Sequence, residues 1–327
     1  MSKDFKLVDI KGENFSDKVL NELEKDVRKF ALEYSNKFFL KNTCPACNSK
    51  NINYYFTCWD MRYSNCNKCK TIFTNPCPEI EEIIVFLNTS EGLRIWREEM
   101  PLSLQKSREK LYEERANLVS IEINKLNIKY PSILEIGGGR GEFSNKLHDL
   151  NLFKDIHVVE PQELHLDHKN IHTYRCSFEE LNLDTKVDCI VSFEVLEHLI
   201  DPIKFLTKSY ELLNEGGILV LSTPNGDSLE VNLRKNKSTQ VNFDHIRLYN
   251  PMALNIMLEN IGSWEINIST PGLFDVAYIE KNLHLIDSAT KDCLKYIFAQ
   301  KNGKDSFQDY LIKNKKSSHM LCIAKKK

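Results

Sequence analysis

Apolar residues along this chain change their spacing three times, and each change marks a different kind of element. Val19, Leu20, Leu23, Val27, Phe30 and Leu32 recur at three- and four-residue steps, which predicts an amphipathic packing helix near the start. Tyr54-Tyr55-Phe56 and Thr71-Ile72-Phe73 are short aromatic and β-branched runs and predict strands. After Pro76-Cys77-Pro78, charge and helix formers dominate from Glu79 to about Asn127. Ile83, Ile84, Phe86 and Leu87, then Leu111, Leu118 and Ile121, supply the apolar positions of a helical connector there. At Pro131 the texture turns to short apolar runs between helical segments. Ile133-Leu134-Glu135-Ile136, Ile156-His157-Val158-Val159, Ile171-His172-Thr173-Tyr174, Val187-Asp188-Cys189-Ile190-Val191 and Ile218-Leu219-Val220-Leu221 predict strands of a parallel α/β sheet. Between the last two, Asp201-Pro202 starts a helix, Phe205, Leu206, Tyr210 and Leu213 form its stripe, and Gly216-Gly217 stops it. Two late strands, Trp264 to Ile268 and Met320 to Ala324, flank a helical stretch from Tyr278 to about Lys313. The expected organisation is residues 1–78 as helix and ribbon, 79–130 as connector and 131–327 as the α/β domain.

Composition narrows the function classes. A chain of 327 residues with 42% hydrophobic and 10% aromatic residues can build a sizeable core and is not disordered. Lys and Arg number 44 against 46 Asp and Glu, a net charge of −2, so no global field draws the protein to nucleic acid or anionic lipid. Met1-Ser2-Lys3-Asp4-Phe5-Lys6 has no apolar core of a leader, and no apolar run approaches the roughly 18 residues that span a bilayer, so the expectation is cytoplasmic.

In that reducing setting the ten cysteines point to metal rather than to disulfides. Cys44 and Cys47 form one C-x2-C, and Cys66 and Cys69 form a second. Two such knuckles make a four-thiolate zinc site, whose binding free energy can fold a segment too short for its own core. Cys58 and Cys77 lie off this register. The expected role of the zinc is structural.

The first strand of the α/β region runs straight into Gly137-Gly138-Gly139-Arg140-Gly141, with a helix opening near Glu142-Phe143. Such a turn lets a ligand approach the backbone. Glu142 stands where the dinucleotide fingerprint needs glycine, and no phosphate-cradling G-x4-G-K-[ST] is present. Glu135 within the strand suits a ligand with a cationic centre, as in S-adenosylmethionine. Glu160, at the end of the second strand, can accept hydrogen bonds from both ribose hydroxyls.

These motifs, in this order from Ser132 to Asn225, resemble the class I S-adenosylmethionine-dependent methyltransferases. The resemblance implies a seven-stranded Rossmann-like sheet whose last strand is antiparallel. It assigns Glu135, Gly137, Gly139 and Gly141 to the methionine-binding loop, Glu160 to the ribose, and Ser177 and Phe178 to the adenine, although Cys176-Ser177 replaces the usual acidic residue there. It is also similar to a subgroup with an N-terminal zinc ribbon that includes sugar methyltransferases of surface-glycan pathways.

Acceptor chemistry is expected after the fourth strand. In Ser192-Phe193-Glu194-Val195-Leu196-Glu197-His198, helical spacing would put Glu194, Glu197 and His198 on one face. His198, with a reference pKa near 6.5, suits a base acting in concert with transfer. The E-x-x-E-H pattern resembles the divalent-metal motif of ubiquinone-biosynthesis O-methyltransferases and of small-RNA 2′-O-methyltransferases, and His245 would then supply a fourth ligand for Mg2+ or Mn2+. Thr223, Asn225, His245 and Tyr249 are candidate substrate contacts, with His319 a further one; a capped turn would also account for Thr223 and Asn225, and for Tyr249 and His319 a structural role is the better expectation. The expected acceptor is a hydroxyl or amine of a small molecule, foremost a nucleotide-linked sugar. The alternatives are an RNA enzyme gripping its substrate with the ribbon and a degenerate domain that only binds the cofactor.

Overall fold

A computed structural model describes residues 13–272 and 275–327. The opening six residues read above lie outside the described residues. Helix α1 (Glu13–Tyr34) precedes three strands, β1 (Ile52–Cys58), β2 (Met61–Cys66) and β3 (Ile72–Thr74). Helices α2 (Ile80–Thr89), α3 (Glu91–Glu98) and α4 (Leu102–Asn124) follow. The α/β region then runs β4 (Ile133–Ile136), α5 (Glu142–Asp149), β5 (Ile156–Val159), β6 (Ile171–Tyr174), β7 (Val187–Phe193), α6 (Pro202–Leu212) and β8 (Leu213–Pro224). It closes with α7 (Leu229–Arg234), β9 (Arg247–Leu248), α8 (Pro251–Glu259), β10 (Trp264–Ser269), α9 (Asp275–Lys281), α10 (Ser288–Ala299), α11 (Gly303–Lys313) and β11 (His319–Lys326). Among the described residues no helix is long and apolar enough to cross a membrane.

Seven strands form one sheet in the order β10-β11-β8-β7-β4-β5-β6. The pairs from β8 to β6 are parallel, and β11 runs antiparallel to both neighbours. All four residues of β4 and of β5 are buried, as expected for central strands covered on both faces. On one face, Phe205 and Leu206 of α6 and Leu254 and Met257 of α8 pack against Leu134, Ile190 and Leu219. On the other, Ala116, Val119 and Ile123 of α4 meet Phe143 and Leu147 of α5 over Ile133, Val158 and Val191. The carboxyl edge of the parallel strands, where ligands bind in such sheets, is left for loops.

The cysteine-bearing strands form a second sheet of order β1-β2-β3-β9. Its fourth strand comes from the α/β region, with Ile72 opposite Leu248 and Phe73 opposite Arg247. The ribbon and the sheet also share cores. Val27 and Phe30 of α1 pack with Val241, Phe243 and Leu248, while Cys44, Cys66 and Cys69 pack with Tyr249 and Leu254.

Three local expectations are corrected. Leu32 is 84% exposed, and the buried stripe of α1 runs through Val19, Leu23, Val27, Phe30 and Ala31, because 3.6-residue periodicity carries Leu32 to the solvent side. Ile121 is exposed for the same reason, and α4 buries Ala116, Val119 and Ile123. Helix α6 ends at Leu212, before Gly216, since the chain enters β8 at Leu213 to pair with Val187.

Candidate active site

Strand β4 delivers the chain to a loop in which Gly137, Gly139 and Gly141 have φ of 82°, 54° and 80°. This left-handed region is costly for residues with a Cβ. At Gly137 a Cβ would also lie 2.6 Å from Val195 Cγ2, whereas at Gly139 nothing stands within 4 Å. Gly139 therefore faces open space where a ligand can meet bare backbone. Glu160 reaches across from the end of β5, its Oε2 accepting from Gly139 N at 2.9 Å and its Oε1 from Gln162 N at 3.0 Å. A cavity of about 170 Å³ opens beside it, lined by residues that include Val158, Glu160, Thr173 and Tyr174. Glu135 lies behind the loop, buried and hydrogen-bonded by Ser144 Oγ. Burial pushes its carboxyl up to about 8 against that hydrogen bond, helped by the charges of Glu160 and Glu142.

The adenine-side residues are placed differently. Ser177 is engaged with its own turn, since its backbone N and Oγ both donate to Glu180 Oε2, at 3.0 and 2.8 Å. Phe178 is buried against Phe205, with ring centroids 5.2 Å apart.

On the acceptor side, the helix expected to align Glu194, Glu197 and His198 is absent. Glu194 has φ of 57°, which turns the chain sharply at the end of β7, and only Leu196–His198 form a single 3-10 turn. A non-glycine residue held there costs on the order of 1–3 kcal/mol and recurs at functional sites. The turn sends Glu194 away from the other two, into a cage of Ser222 Oγ at 2.5 Å, Arg115 Nη2 at 3.4 Å and His319 Nε2 at 3.4 Å. Burial raises its pKa, but His319, Arg115 and Ser222 outweigh this and hold Glu194 well below the usual carboxylate range. Such a group keeps its charge and makes a poor base.

Glu197, His198 and His245 instead converge, with one ligating atom of each within 4.8 Å of the others. Glu197 is fully buried. Its Oε2 accepts from Thr223 Oγ1 at 2.9 Å, while its Oε1 has no hydrogen-bond partner among the described residues and lies 3.9 Å from His198 Nε2. Burial and the Glu194 charge push its carboxyl up, against the pull of His198 and His245. The histidine rings stand edge to face with centroids 5.1 Å apart. His198 Nδ1 meets Asp244 O at 2.5 Å and His245 Nδ1 meets Gln240 O at 2.9 Å. Carbonyls only accept, so each Nδ1 carries the proton and each Nε2 keeps its lone pair. Burial lowers the His198 pKa, yet the Glu197 and Asp244 charges and the Asp244 carbonyl carry it above its ordinary value.

Of the other candidates, Thr223 acts on Glu197 as described. Asn225 is buried with its amide spent on Lys315 O and Ser317 O at 3.0 and 2.8 Å, fastening the turn after β8 to the segment that precedes β11. Tyr249 is buried in the shared core, and its hydroxyl has no hydrogen-bond partner among the described residues. Arg115 carried no sequence signal. It reaches Glu194 from mid-helix α4, its guanidinium 4.6 Å from the Phe193 ring centroid, and only the packing of α4 on the sheet brings it there.

The four sulfurs of Cys44, Cys47, Cys66 and Cys69 gather in one cluster, with Cys44 and Cys69 3.5 Å apart and Cys47 and Cys66 3.6 Å apart. Tetrahedral zinc thiolates with Zn–S of 2.3 Å place sulfurs about 3.8 Å apart, so the donor set is consistent with a zinc ribbon. Cys58 and Cys77 are buried outside it.

The seven-stranded sheet with one antiparallel strand, the glycine loop and the carboxylate that ends the next strand define a class I S-adenosylmethionine-dependent methyltransferase fold. The family model described as a methyltransferase domain matches residues 96–263, just over half of the chain, and the chain belongs to that family. Its match begins in the predicted connector, in keeping with the packing of α4 on the sheet. A "probable S-adenosylmethionine-dependent methyltransferase" of Mycolicibacterium smegmatis is 28% identical over 136 residues, 40% of this chain and 51% of that protein. One of Mycobacterium tuberculosis is 27% identical over 148 residues, 43% of this chain and 51% of that protein. The chain thus spans about half the length of the curated relatives it matches. A solved 1,6-didemethyltoxoflavin-N1-methyltransferase from Burkholderia thailandensis superposes with a TM-score of 0.46 at 11% identity, covering 84% of this chain and 99% of that one.

Proposed function

We propose that the protein transfers the methyl group of S-adenosylmethionine to a hydroxyl or amine of a small molecule, foremost a nucleotide-linked sugar, with His198 as the base. The observation that carries this reading is the Glu197-His198-His245 cluster at the same sheet edge as the glycine loop. The backbone of Gly137 to Gly141 would take the methionine part of the donor, and Glu160 would exchange its bond to Gly139 N for the ribose hydroxyls. As the acceptor forms its bond to the methyl carbon, the carbon–sulfur bond breaks and S-adenosylhomocysteine leaves. His198 Nε2 takes the acceptor proton, and buried Glu197 stabilises the imidazolium that results.

The unpartnered Glu197 Oε1 and the two free Nε2 atoms also fit a divalent cation such as Mg2+ or Mn2+, held by Glu197, His198 and His245. Such an ion would occupy the His198 Nε2 lone pair, so it would replace proton transfer to His198 and instead activate an acceptor hydroxyl by lowering its pKa. Glu194, committed to Arg115 and His319, falls outside that donor set. The four cysteines would hold a structural zinc. The ribbon's inward pairing through β3 and β9, together with a net charge of −2, favours a small acceptor over RNA.

The test is transfer of labelled methyl from S-adenosylmethionine into a cell extract split into small-molecule and RNA fractions, with and without a chelator. Label in the small-molecule fraction supports the reading. Label in RNA overturns it, and loss with chelator at constant zinc content identifies the second metal.

A further inference from the structure

The segment from Asn236 to Asn250 carries His245 and the carbonyl that fixes His198, and the ribbon holds it from end to end. Cys58 Sγ donates to Asn236 O at 3.3 Å, and Tyr63 Oη donates to Asn242 O at 3.0 Å. Thr74 N donates to Ile246 O at 3.0 Å, and Asn250 Nδ2 donates to Cys69 O at 2.7 Å. Between the last two contacts lies Arg247. Its backbone pairs with Phe73 of the ribbon, and its side chain, only 1% exposed, points back across the catalytic turn. There the guanidinium donates to Leu199 O and, at 2.5 Å, to Ile200 O, the carbonyls that directly follow His198.

A buried guanidinium with no carboxylate in hydrogen-bond contact among the described residues is an expensive way to fill space, because an apolar side chain would avoid its desolvation. The arrangement makes sense if the two carbonyls, left without donors where the 3-10 turn ends, must be held in one place. His198 is then gripped twice, by Asp244 O on its ring and by Arg247 on the backbone after it. Both grips come from the segment that the ribbon holds.

We infer that Arg247 is a positioning residue for His198, and that through it the cysteine ribbon builds the acceptor half of the active site. The ribbon is thereby an internal scaffold that aligns the base, while the donor-binding loop stands without it. This rests on the reading of His198 as the base.

The experiment uses the full zinc-loaded chain, labelled with 15N-histidine. The Nδ1–H of His198, bound to Asp244 O, should give a slowly exchanging imidazole resonance, assigned by its loss in H198A. In R247A that resonance should disappear and labelled-methyl turnover should fall at least tenfold, with S-adenosylmethionine affinity and zinc content unchanged within twofold. In R247K, which keeps one donor, both should recover in part. If R247A does not fold, R247K alone decides, through a weakened resonance and reduced turnover. Retention of the resonance in R247A, or its absence from the wild-type chain, overturns the proposal. Normal turnover in H198A would sink the base assignment instead, while the resonance still reports whether Arg247 positions the ring.

Discussion

The half of the site proposed to bind the donor and the half proposed to bind the acceptor are built in opposite ways. The donor half is one short stretch of chain: β4, three glycines and the start of α5, completed by Glu160 from the adjacent strand. The acceptor half gathers Arg115 from α4, Glu194 to His198 after β7, Thr223 from β8, His245 from the loop before β9 and His319 from β11. It is braced by a ribbon nearly two hundred residues upstream of the loop it holds. A locally encoded site survives distant damage, and an assembled one does not.

The largest break in this comparison should come from G139R, which forces a side chain into the open space of the donor loop at φ 54°. Calorimetry should show at least a hundredfold loss of S-adenosylmethionine affinity with zinc content unchanged. The mirror experiment is C66S, which cuts the cysteine cluster. Methyl transfer should be lost while donor affinity changes less than about threefold, and an equal loss of both would mean that the halves are not separable. H198A should lower turnover by about 100- to 10,000-fold, the range of a general base, with donor affinity intact.

A smaller effect concerns pH. The folded pKa of Glu135, about 8, lies above its unfolded value, so its contribution is fully present below the unfolded pKa and is lost as pH rises through the folded one. Wild-type melting temperature should therefore fall relative to E135Q between about pH 5 and 8, and parallel curves would contradict a protonated Glu135. The smallest expected effect is S177A. With its hydroxyl spent on Glu180 within a single turn, the substitution should cost no more than about 1 kcal/mol of stability, the loss of one hydrogen bond. Donor affinity should change less than twofold, and a tenfold loss would return Ser177 to the adenine site.

Much of the fold was legible because it rests on local periodicity. All seven strands of the main sheet fall where apolar runs predicted them, and the glycine loop and the two cysteine knuckles are punctuation that sequence displays openly. Where the reading failed, the winning interaction was distant. The E-x-x-E-H spacing promised a helical face, but a left-handed Glu194 serves Arg115 and His319 instead, and no local pattern encodes those partners.

By itself the sequence determined the class of fold, the glycine turn after β4 and the clustering of the four cysteines, since each follows from side-chain chemistry at short spacing. Only the tertiary structure decided that β9 completes the ribbon sheet, that Glu197, His198 and His245 meet without Glu194, and that Asn225 is spent on holding the fold. Those facts depend on contacts between residues far apart in the chain. Such contacts form only when the sheet, its covering helices and the ribbon close on a common core.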